Sequence, residues 1–279
     1  MFTMRRITIL VFALTAMLFT AGKKKEDDNR TRYFPKHELK AEQIPEKKNV
    51  WVFLLAGQSN LAGRAFVEPQ DTIPNERVLT INMNNEIIIA KEPVHLYQPT
   101  LNGLGCGLSF GKTLLEFIPD SVSILLLPTA VGGSSISQWI GDSVFRNISL
   151  LSNFEEKVEI GKQYGQIKGV LWHQGERDAN KNAYDKYKMR LNVLFGLFRH
   201  ITCNDKLPIL IGELGSFSGK DSWDRVNQQI HAYALQDSLV RVISTSDLKD
   251  TGDKVHFDSE SQRLLGKRFA NTYKKEFMR

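Results

Sequence analysis

The sequence has little cysteine, little proline and no apolar run long enough to cross a membrane comfortably. Its 279 residues include 9 prolines and 2 cysteines, Cys106 and Cys203. Two cysteines exclude a disulfide framework and a four-thiolate zinc site. A single bridge between them remains open, but two buried thiols are the expectation. The chain is 42% hydrophobic and 24% charged, which is typical of a folded protein and excludes the disordered, collagen-like and repeat classes.

A strong excess of one charge is also absent from most of the chain. The net charge is +6. Residues 1–48 hold 11 Lys and Arg against 6 Asp and Glu, whereas residues 49–279 hold 26 against 25. The body of the protein is therefore nearly neutral and offers no basic face to a phosphate backbone. We expect no nucleic-acid partner.

The N-terminus has the pattern of a secretory signal peptide. Arg5 and Arg6 precede an uncharged stretch of 15 residues, 7–21, which is followed by glycine. A stretch of this length is shorter than a membrane-spanning helix needs, so an uncleaved anchor is the weaker alternative. We predict a signal peptide at 1–22, a charged linker at 23–46 and one domain at 47–279. The protein is then exported, periplasmic or extracellular, with no membrane contact after cleavage.

Short apolar runs alternate with amphipathic stretches through the predicted domain. Helical stripes are at 108–117, 184–200, 223–235 and 259–277. Strand-like segments are at 49–55, 123–127, 166–172, 208–211 and 240–244, and 78–90 has the pattern of a hairpin. This alternation predicts an α/β fold, a single three-layer domain whose central, mainly parallel sheet is flanked by helices.

Three of the predicted strands end in polar or glycine-rich clusters. The clusters are GQSN at 57–60, GGS at 132–134 and HQGE at 173–176. In doubly wound sheets, ligands bind beyond the carboxyl ends of the strands. A serine on a strand-to-helix turn exposes its hydroxyl there, and nearby backbone N–H groups can stabilise an oxyanion. Ser59 fits this position, although helix capping is the commoner role of such a serine.

A serine nucleophile needs a general base, and the loop before the closing helix contains one. His256 has the side chain that accepts a proton near neutral pH. Asp253 precedes it closely enough to fold back and orient the imidazole. Asp258 competes for that role, but it directly precedes the closing helix. We therefore interpret Asp258 as the helix cap.

The other two clusters provide candidate donors to an oxyanion. Gln174 is a neutral amide at a strand end, and a glycine N–H at Gly132 or Gly133 can approach a ligand closely. His173 and Glu176 allow a metal site as an alternative. Two ligands without a third nearby do not complete such a site, so we expect no metal.

The ordered blocks GQSN, GGSSI, WHQGE and DKVHF resemble the SGNH-hydrolase superfamily. The closer resemblance is to its sialate O-acetylesterase-like branch, which includes the acetylxylan esterases of carbohydrate esterase family six. It extends over about residues 49–275 and implies an SGNH or flavodoxin-like fold. It also implies a catalytic triad of Ser59, Asp253 and His256. The implied oxyanion hole consists of the N–H groups of Ser59 and Gly133 and the side chain of Gln174.

Two positions depart from the pattern of the branch. Cys106 stands where proline is usual, and Arg177 stands where serine usually follows HQGE. A guanidinium at the rim of the site can pair with a sugar carboxylate. The alternative, which the sequence favours, is that Arg177 pairs with a neighbouring acidic residue or faces solvent. We name Gln58, Glu176 and Arg177 as candidate substrate contacts.

Together these patterns predict an exported serine esterase that removes O-acetyl groups from carbohydrate through an acyl-enzyme. Acetylated xylan or a related sugar is the expected substrate and partner, and no cofactor is required. A sialate O-acetylesterase is one alternative. A catalytically silent carbohydrate-binding protein on the same scaffold is the other. The sequence does not predict an oligomeric state.

Overall fold

The computed structural model describes residues 31–278, so the predicted signal peptide and the first part of the predicted linker lie outside the described residues. The strands are β1 Val50–Gly57, β2 Val78–Ile81, β3 Ile87–Ile89, β4 Ser123–Pro128, β5 Val144–Phe145, β6 Ile148–Ser149, β7 Gln166–His173, β8 Ile209–Gly212 and β9 Val240–Ile243. The helices are α1 Ser59–Ala62, α2 Gly107–Leu114, α3 Ile136–Ile140, α4 Leu150–Tyr164, α5 Tyr187–Thr202, α6 Asp221–Ala234 and α7 Ser259–Phe277.

Seven of the strands form one sheet, in the order β3-β2-β4-β1-β7-β8-β9. All neighbouring pairs are parallel except β2 and β3, which form an antiparallel hairpin. Parallel neighbours require a crossover connection, which is usually a helix, and this explains the alternation seen in the sequence. The predicted α/β fold with a mainly parallel sheet is confirmed, as is the hairpin at 78–90.

Strand β1 is central, and its side chains divide between two cores. Val50, Val52 and Leu54 belong to one core, and Phe53 and Leu55 belong to the other. Successive side chains of a strand point to opposite faces, so a strand covered on both sides needs an unbroken apolar run. The first core includes residues of α4, α5 and α6, and the second includes residues of α2 and α7. Helices therefore cover both faces of the sheet.

Helices α3 and α4 and the hairpin β5–β6 lie outside the predicted set. Helix α4 buries Leu150, Phe154 and Val158, whose spacing is that of one helical face. The hairpin β5–β6 turns at Arg146 and Asn147, which have φ angles of 50° and 65°. Two consecutive left-handed residues are the geometry of a tight type I′ turn. This turn brings Arg146 to the tip of the hairpin.

Part of the predicted linker packs against the outer edge of the sheet. Lys40 forms an isolated antiparallel bridge with Ile88. The N–H of Ile89 donates to the carbonyl of Leu39 at 2.8 Å. Pairing of this kind covers N–H and C=O groups that an edge strand otherwise leaves open. Residues 39 and 40 are therefore attached to the folded unit, although the sequence predicts a solvated linker there.

Between residues 31 and 278 there is neither a disulfide bond nor a helix with the length and apolar character of a membrane span. Cys106 is buried, and burial raises the pKa of its thiol well above the usual range. Cys203 is exposed, so the expectation of two buried thiols is wrong for this residue. It follows α5 in a left-handed conformation, at the point where the helix ends.

Candidate active site

The three polar clusters meet at the carboxyl edge of the sheet. Ser59 follows β1, while residues 132–133 come after β4 and residue 173 ends β7, and both β4 and β7 are neighbours of β1. A cavity of about 720 Å³ lies at this edge. Its lining residues are Gln58, Ser59, Arg64, Gln98, Thr100, Leu101, Gly132, Gly133, Phe145, Arg146, Glu176, Arg177, Val255 and His256.

The residues of the predicted triad lie within hydrogen-bonding distance of one another. Oγ of Ser59 is 3.1 Å from Nε2 of His256, and Nδ1 of His256 is 2.6 Å from Oδ2 of Asp253. The turn that presents Ser59 depends on Gly57, whose φ is +139° and where a Cβ would overlap the carbonyl of His173. The geometry allows the imidazole to take a proton from the hydroxyl while the carboxylate accepts from the opposite ring nitrogen.

Backbone hydrogen bonds hold the carboxylate of Asp253 in place. Its Oδ1 accepts from the N–H groups of Val255 and His256, each at 2.8 Å. Partial burial acts to raise the pKa of Asp253, but the N–H donors and the ring of His256 outweigh it and lower the pKa below its ordinary value. The carboxylate is therefore ionised near neutral pH and favours the tautomer of His256 that carries its proton on Nδ1.

Asp258 caps helix α7, and this prediction is confirmed. Its side chain accepts a hydrogen bond from the N–H of Ser261 at 2.8 Å. Its own N–H donates to the carbonyl of Lys249 at 3.0 Å. A carboxylate in this position satisfies an N–H group that the first turn leaves open and lies at the favourable end of the helix dipole.

Asn60, to which the sequence analysis assigns no role, links the nucleophile turn to two other loops. The residue is fully buried. Its Nδ2 donates to Oε1 of Glu176 at 2.6 Å and to the carbonyl of Val255 at 3.0 Å, and its Oδ1 accepts from the N–H of Phe257 at 3.1 Å. Because His256 lies between these last two residues, the bonds fix the base relative to the nucleophile.

One of the two glycines that line the cavity has a backbone N–H without an internal acceptor in the described part of the chain. The N–H of Gly132 donates to Oε1 of Gln98 at 2.8 Å, so it is already engaged. Gly133 has a φ of +82°, a conformation that favours glycine. Its N–H has no acceptor among residues 31–278. Of the two glycines that the sequence leaves open, Gly133 is the one whose N–H is available to a ligand.

Gln174 lies beneath the cavity wall and is fully buried. Its Nε2 is 3.1 Å from Oε1 of Gln58, 3.0 Å from the carbonyl of Ser134 and 2.7 Å from Oδ2 of Asp178. Its Oε1 accepts from the hydroxyl of Tyr187 at 2.9 Å. A side-chain amide has only two N–H hydrogens, and internal acceptors take both. In this structure Gln174 therefore has no N–H left over for the oxyanion role that the family resemblance implies.

Gln58 and Glu176 both line the cavity, but each also has an internal role. Oε1 of Gln58 accepts from the backbone N–H of Arg177 at 3.3 Å as well as from Gln174. One carboxylate oxygen of Glu176 accepts a hydrogen bond from the side chain of Asn60. Its other oxygen is buried and has no partner among the described residues. Both side chains therefore build the wall of the cavity.

Arg177 is exposed at the cavity. Its acidic neighbours are engaged elsewhere, since Glu176 accepts from Asn60 at 2.6 Å and Asp178 pairs with Arg190 at 3.3 Å. The sequence favours either pairing of Arg177 with a neighbouring carboxylate or its exposure to solvent. The structure shows the exposure and does not show the pairing. The guanidinium is open to solvent and to a ligand.

Two further arginines line the cavity without having been predicted. Arg64 donates from Nη2 to Oε1 of Gln98 at 2.5 Å. Arg146 donates from Nε to the carbonyl of Gly132 at 3.0 Å. The proximity of Arg64 to the GQSN block is a usable sequence signal. Arg146 lies in the unpredicted hairpin, and nothing in the local sequence points to the cavity.

No three His, Cys, Asp or Glu side chains within residues 31–278 are grouped so that they can hold a metal ion. His173 is fully buried, and its Nε2 lies 2.8 Å from the carbonyl of Glu213. Burial lowers the pKa of His173, so its ring stays neutral. The residue connects the ends of β7 and β8 and does not line the cavity.

Comparison with known proteins gives a consistent assignment. A family model described as carbohydrate esterase, sialic acid-specific acetylesterase, matches residues 49–275. A probable carbohydrate esterase from Arabidopsis thaliana is 29% identical over 245 residues, which cover 81% of this chain and 91% of that protein.

Solved structures share the fold. An X-ray structure of an Arabidopsis thaliana protein superposes with a TM-score of 0.74 at 27% identity, covering 82% of this chain and 99% of that one. The crystal structure of NanS has a TM-score of 0.65 at 18% identity, covering 84% and 98%. Because the family model matches most of the sequence, this chain belongs to the carbohydrate esterase family of sialic acid-specific acetylesterases.

Proposed function

We propose that this protein is an exported serine esterase that removes O-acetyl groups from carbohydrate through an acyl-enzyme. The observation that carries the proposal is the hydrogen-bonded series from Ser59 through His256 to Asp253 beside an open cavity. Membership of a carbohydrate esterase family supports ester hydrolysis as the reaction class.

In the acylation step, Oγ of Ser59 attacks the acetyl carbonyl while Nε2 of His256 takes the hydroxyl proton. Asp253 stabilises the imidazolium that forms. The tetrahedral intermediate then collapses, the C–O bond to the sugar breaks, and His256 gives its proton to the sugar oxygen. Water attacks the acetyl-enzyme by the same route, with His256 as base, and acetate leaves.

The negative charge on the tetrahedral oxygen is assigned to backbone donors. The N–H of Ser59 lies in the first turn of α1 and has no partner within the helix. The N–H of Gly133 is the second donor. Gln174 supports this region from below through Gln58 and Ser134 and does not supply a third N–H.

The central test is the Ser59→Ala variant. We expect a loss of kcat on the order of 10⁶-fold with little change in unfolding temperature, measured by acetate release from a panel of acetylated xylans, pectins and sialosides. A serine-reactive phosphonate is expected to label Ser59. Labelling of Ser134 or Ser135 instead would overturn the assignment of Ser59 as nucleophile. No hydrolysis by the wild type would leave the silent binding protein as the better description. Export is checked by mass spectrometry of protein secreted from the full-length gene, which should begin after residue 22.

A second candidate substrate is an acidic acetylated sugar. Arg177 favours it, because this residue is exposed and forms no ion pair within residues 31–278. One charge-assisted hydrogen bond to a carboxylate contributes about 1.5–3 kcal/mol. Arg177→Ser is therefore expected to lower kcat/KM on an acetylated sialoside by about tenfold or more while a neutral acetylated xylo-oligosaccharide is unaffected. Lys181→Ser, which removes an exposed cation outside the cavity lining, is the control. Equal effects of Arg177→Ser on both substrates would favour the neutral sugar.

A further inference from the structure

Two side chains from distant parts of the chain hold consecutive peptide groups of the glycine loop. Oε1 of Gln98 accepts from the N–H of Gly132 at 2.8 Å. Nε of Arg146 donates to the carbonyl of the same residue at 3.0 Å. The first bond fixes the peptide group between residues 131 and 132, and the second fixes the group between residues 132 and 133.

The second bond determines where the N–H of Gly133 points. A peptide group is planar, and in the trans form its C=O and N–H point in opposite directions. The peptide between Gly132 and Gly133 is trans. Because Arg146 holds its oxygen on one side, the N–H of Gly133 is directed to the other side. That N–H has no acceptor among residues 31–278.

Gln98 acts through its oxygen alone. The residue is 6% exposed, and its Oε1 accepts from Nη2 of Arg64 as well as from Gly132. Both neighbours are donors, so the amide cannot be turned to place its nitrogen there. Nε2 is buried without a partner in the described part of the chain. A buried N–H group without an acceptor is unfavourable, so its presence here indicates that the acceptor oxygen is what the position requires.

Arg146 is held by the hairpin β5–β6. It lies at the tip with a φ of 50°, and its guanidinium carbon is 5.6 Å from the ring centre of Phe145. That ring also closes on the glycine loop, since a Cβ built on Gly133 would be 3.8 Å from its Cζ. Both side chains of the hairpin therefore lie against the loop that carries the available N–H.

We propose that Gln98 and Arg146 are positioning residues that together form a peptide clamp, which aims the N–H of Gly133 at the oxyanion. The inference rests on the proposed esterase function. The essential property of Arg146 is its Nε–H bond to the carbonyl of Gly132, and not the charge that it places in the cavity. Gln98 contributes a neutral acceptor, which places no negative charge beside the oxyanion.

The kinetic test uses a small neutral ester, nitrophenyl acetate, so that recognition of a charged sugar plays no part. Gln98→Met keeps the side-chain length and removes the acceptor. Arg146→Lys keeps the charge and removes the Nε–H donor. We expect both to lower kcat by about 10- to 100-fold with KM within about twofold, and Arg146→Met to resemble Arg146→Lys. Lys181→Met controls for the loss of one exposed cation.

A second readout does not depend on activity. The sequence contains one Val–Gly step, Val131–Gly132, and one Gly–Gly step, Gly132–Gly133. Paired carbonyl-13C and amide-15N labelling therefore selects the amide resonance of each glycine in NMR spectra. Gln98→Met is expected to move the Gly132 proton upfield, and Gln98→Glu, which keeps an acceptor oxygen, to restore it. Arg146→Lys is expected to move the Gly133 resonance.

The outcomes separate the clamp from the proposed function. An inactive wild type would reject the esterase, while the NMR shifts would still decide whether the clamp exists. An active wild type with unchanged kcat in Gln98→Met and Arg146→Lys would overturn the clamp. A Gly132 resonance that does not respond to Gln98→Met would also overturn the clamp. The same holds if Arg146→Lys has the wild-type kcat while Arg146→Met is impaired, because the charge of residue 146 would then be the property that matters.

Discussion

Two aspartates on one loop have different surroundings and therefore different roles. The carboxylate of Asp253 faces Nδ1 of His256 at 2.6 Å and is held by two backbone N–H groups. The carboxylate of Asp258 accepts a hydrogen bond from the N–H of Ser261 at the start of α7. A hydrogen bond to the imidazole affects catalysis, whereas a bond at a helix N-terminus affects stability.

We predict that Asp253→Asn lowers kcat by about 10³- to 10⁴-fold, because an amide does not enforce the tautomer that the base needs. Asp258→Asn removes the same charge from the same loop. Asparagine is an equally good cap, so this variant is expected to keep kcat and to lower the unfolding temperature only slightly, through the lost interaction with the helix dipole. Steady-state hydrolysis and thermal unfolding of the two proteins provide the comparison. A larger kinetic effect at Asp258 would reverse their roles.

At the scale of elements, the site is held together by contacts between the turn after β1 and the loops after β7 and β9. Helix α1 has only a single turn and cannot hold Ser59 by its own stability. The buried amide of Asn60 supplies the connection, with Glu176 on one side and the backbone on either side of His256 on the other. A buried network of this kind stabilises its members only while every donor faces an acceptor.

We predict that Asn60→Asp destabilises the protein by about 3 kcal/mol or more, because it places a second carboxylate beside Glu176 in a buried position. Adding Glu176→Gln restores a donor opposite the new carboxylate. The double variant Asn60→Asp/Glu176→Gln is therefore expected to recover part of the loss, which denaturant unfolding of the four proteins in the cycle measures. Strictly additive effects would show that the two side chains are not coupled.

At the scale of the whole molecule, one buried carboxyl is expected to make stability depend on pH. Glu92 is 2% exposed. Its Oε2 accepts from the N–H groups of Val94 and Gly105, and its Oε1 has no partner among residues 31–278. Burial is the largest influence and raises the pKa of Glu92 from its ordinary value of 4.5 to about 8, with nearby Asp71 adding to the effect and backbone N–H groups opposing it.

We predict that Glu92→Gln gains stability relative to the wild type as the pH rises from about 5 to 8. Over this range the folded protein keeps a proton that the unfolded chain has released, so wild-type stability falls by at most about 1.4 kcal/mol per pH unit from this group. The variant keeps an acceptor oxygen and does not titrate. Thermal unfolding across the range measures the difference, with Glu116→Gln, at an exposed carboxyl, as control. A difference that stays constant with pH would contradict the prediction.

Local patterns were sufficient for most of the fold and for the choice of the three candidate triad residues. The unbroken apolar run of β1 reflects burial on both faces of the sheet, and Asp258 lies next to the helix that it caps. The buried residues of helix α4 also have helical spacing, so the sequence contains a signal for this helix although the helix is not among the predicted elements. The structure brings Ser59, Asp253 and His256 within hydrogen-bonding distance of one another because each block lies at a strand end or in the loop that reaches it.

The sequence by itself determined which segments become strands and helices, because an apolar period of two or 3.6 residues is a property of neighbouring positions. Only the tertiary structure decided that Gln174 faces inward, that Gly132 is engaged while Gly133 is available, and that Gln98 and Arg146 hold the loop between them. These outcomes depend on which donor meets which acceptor across long chain separations. Periodicity reports the face that is buried and carries no information about the partner that the face will meet.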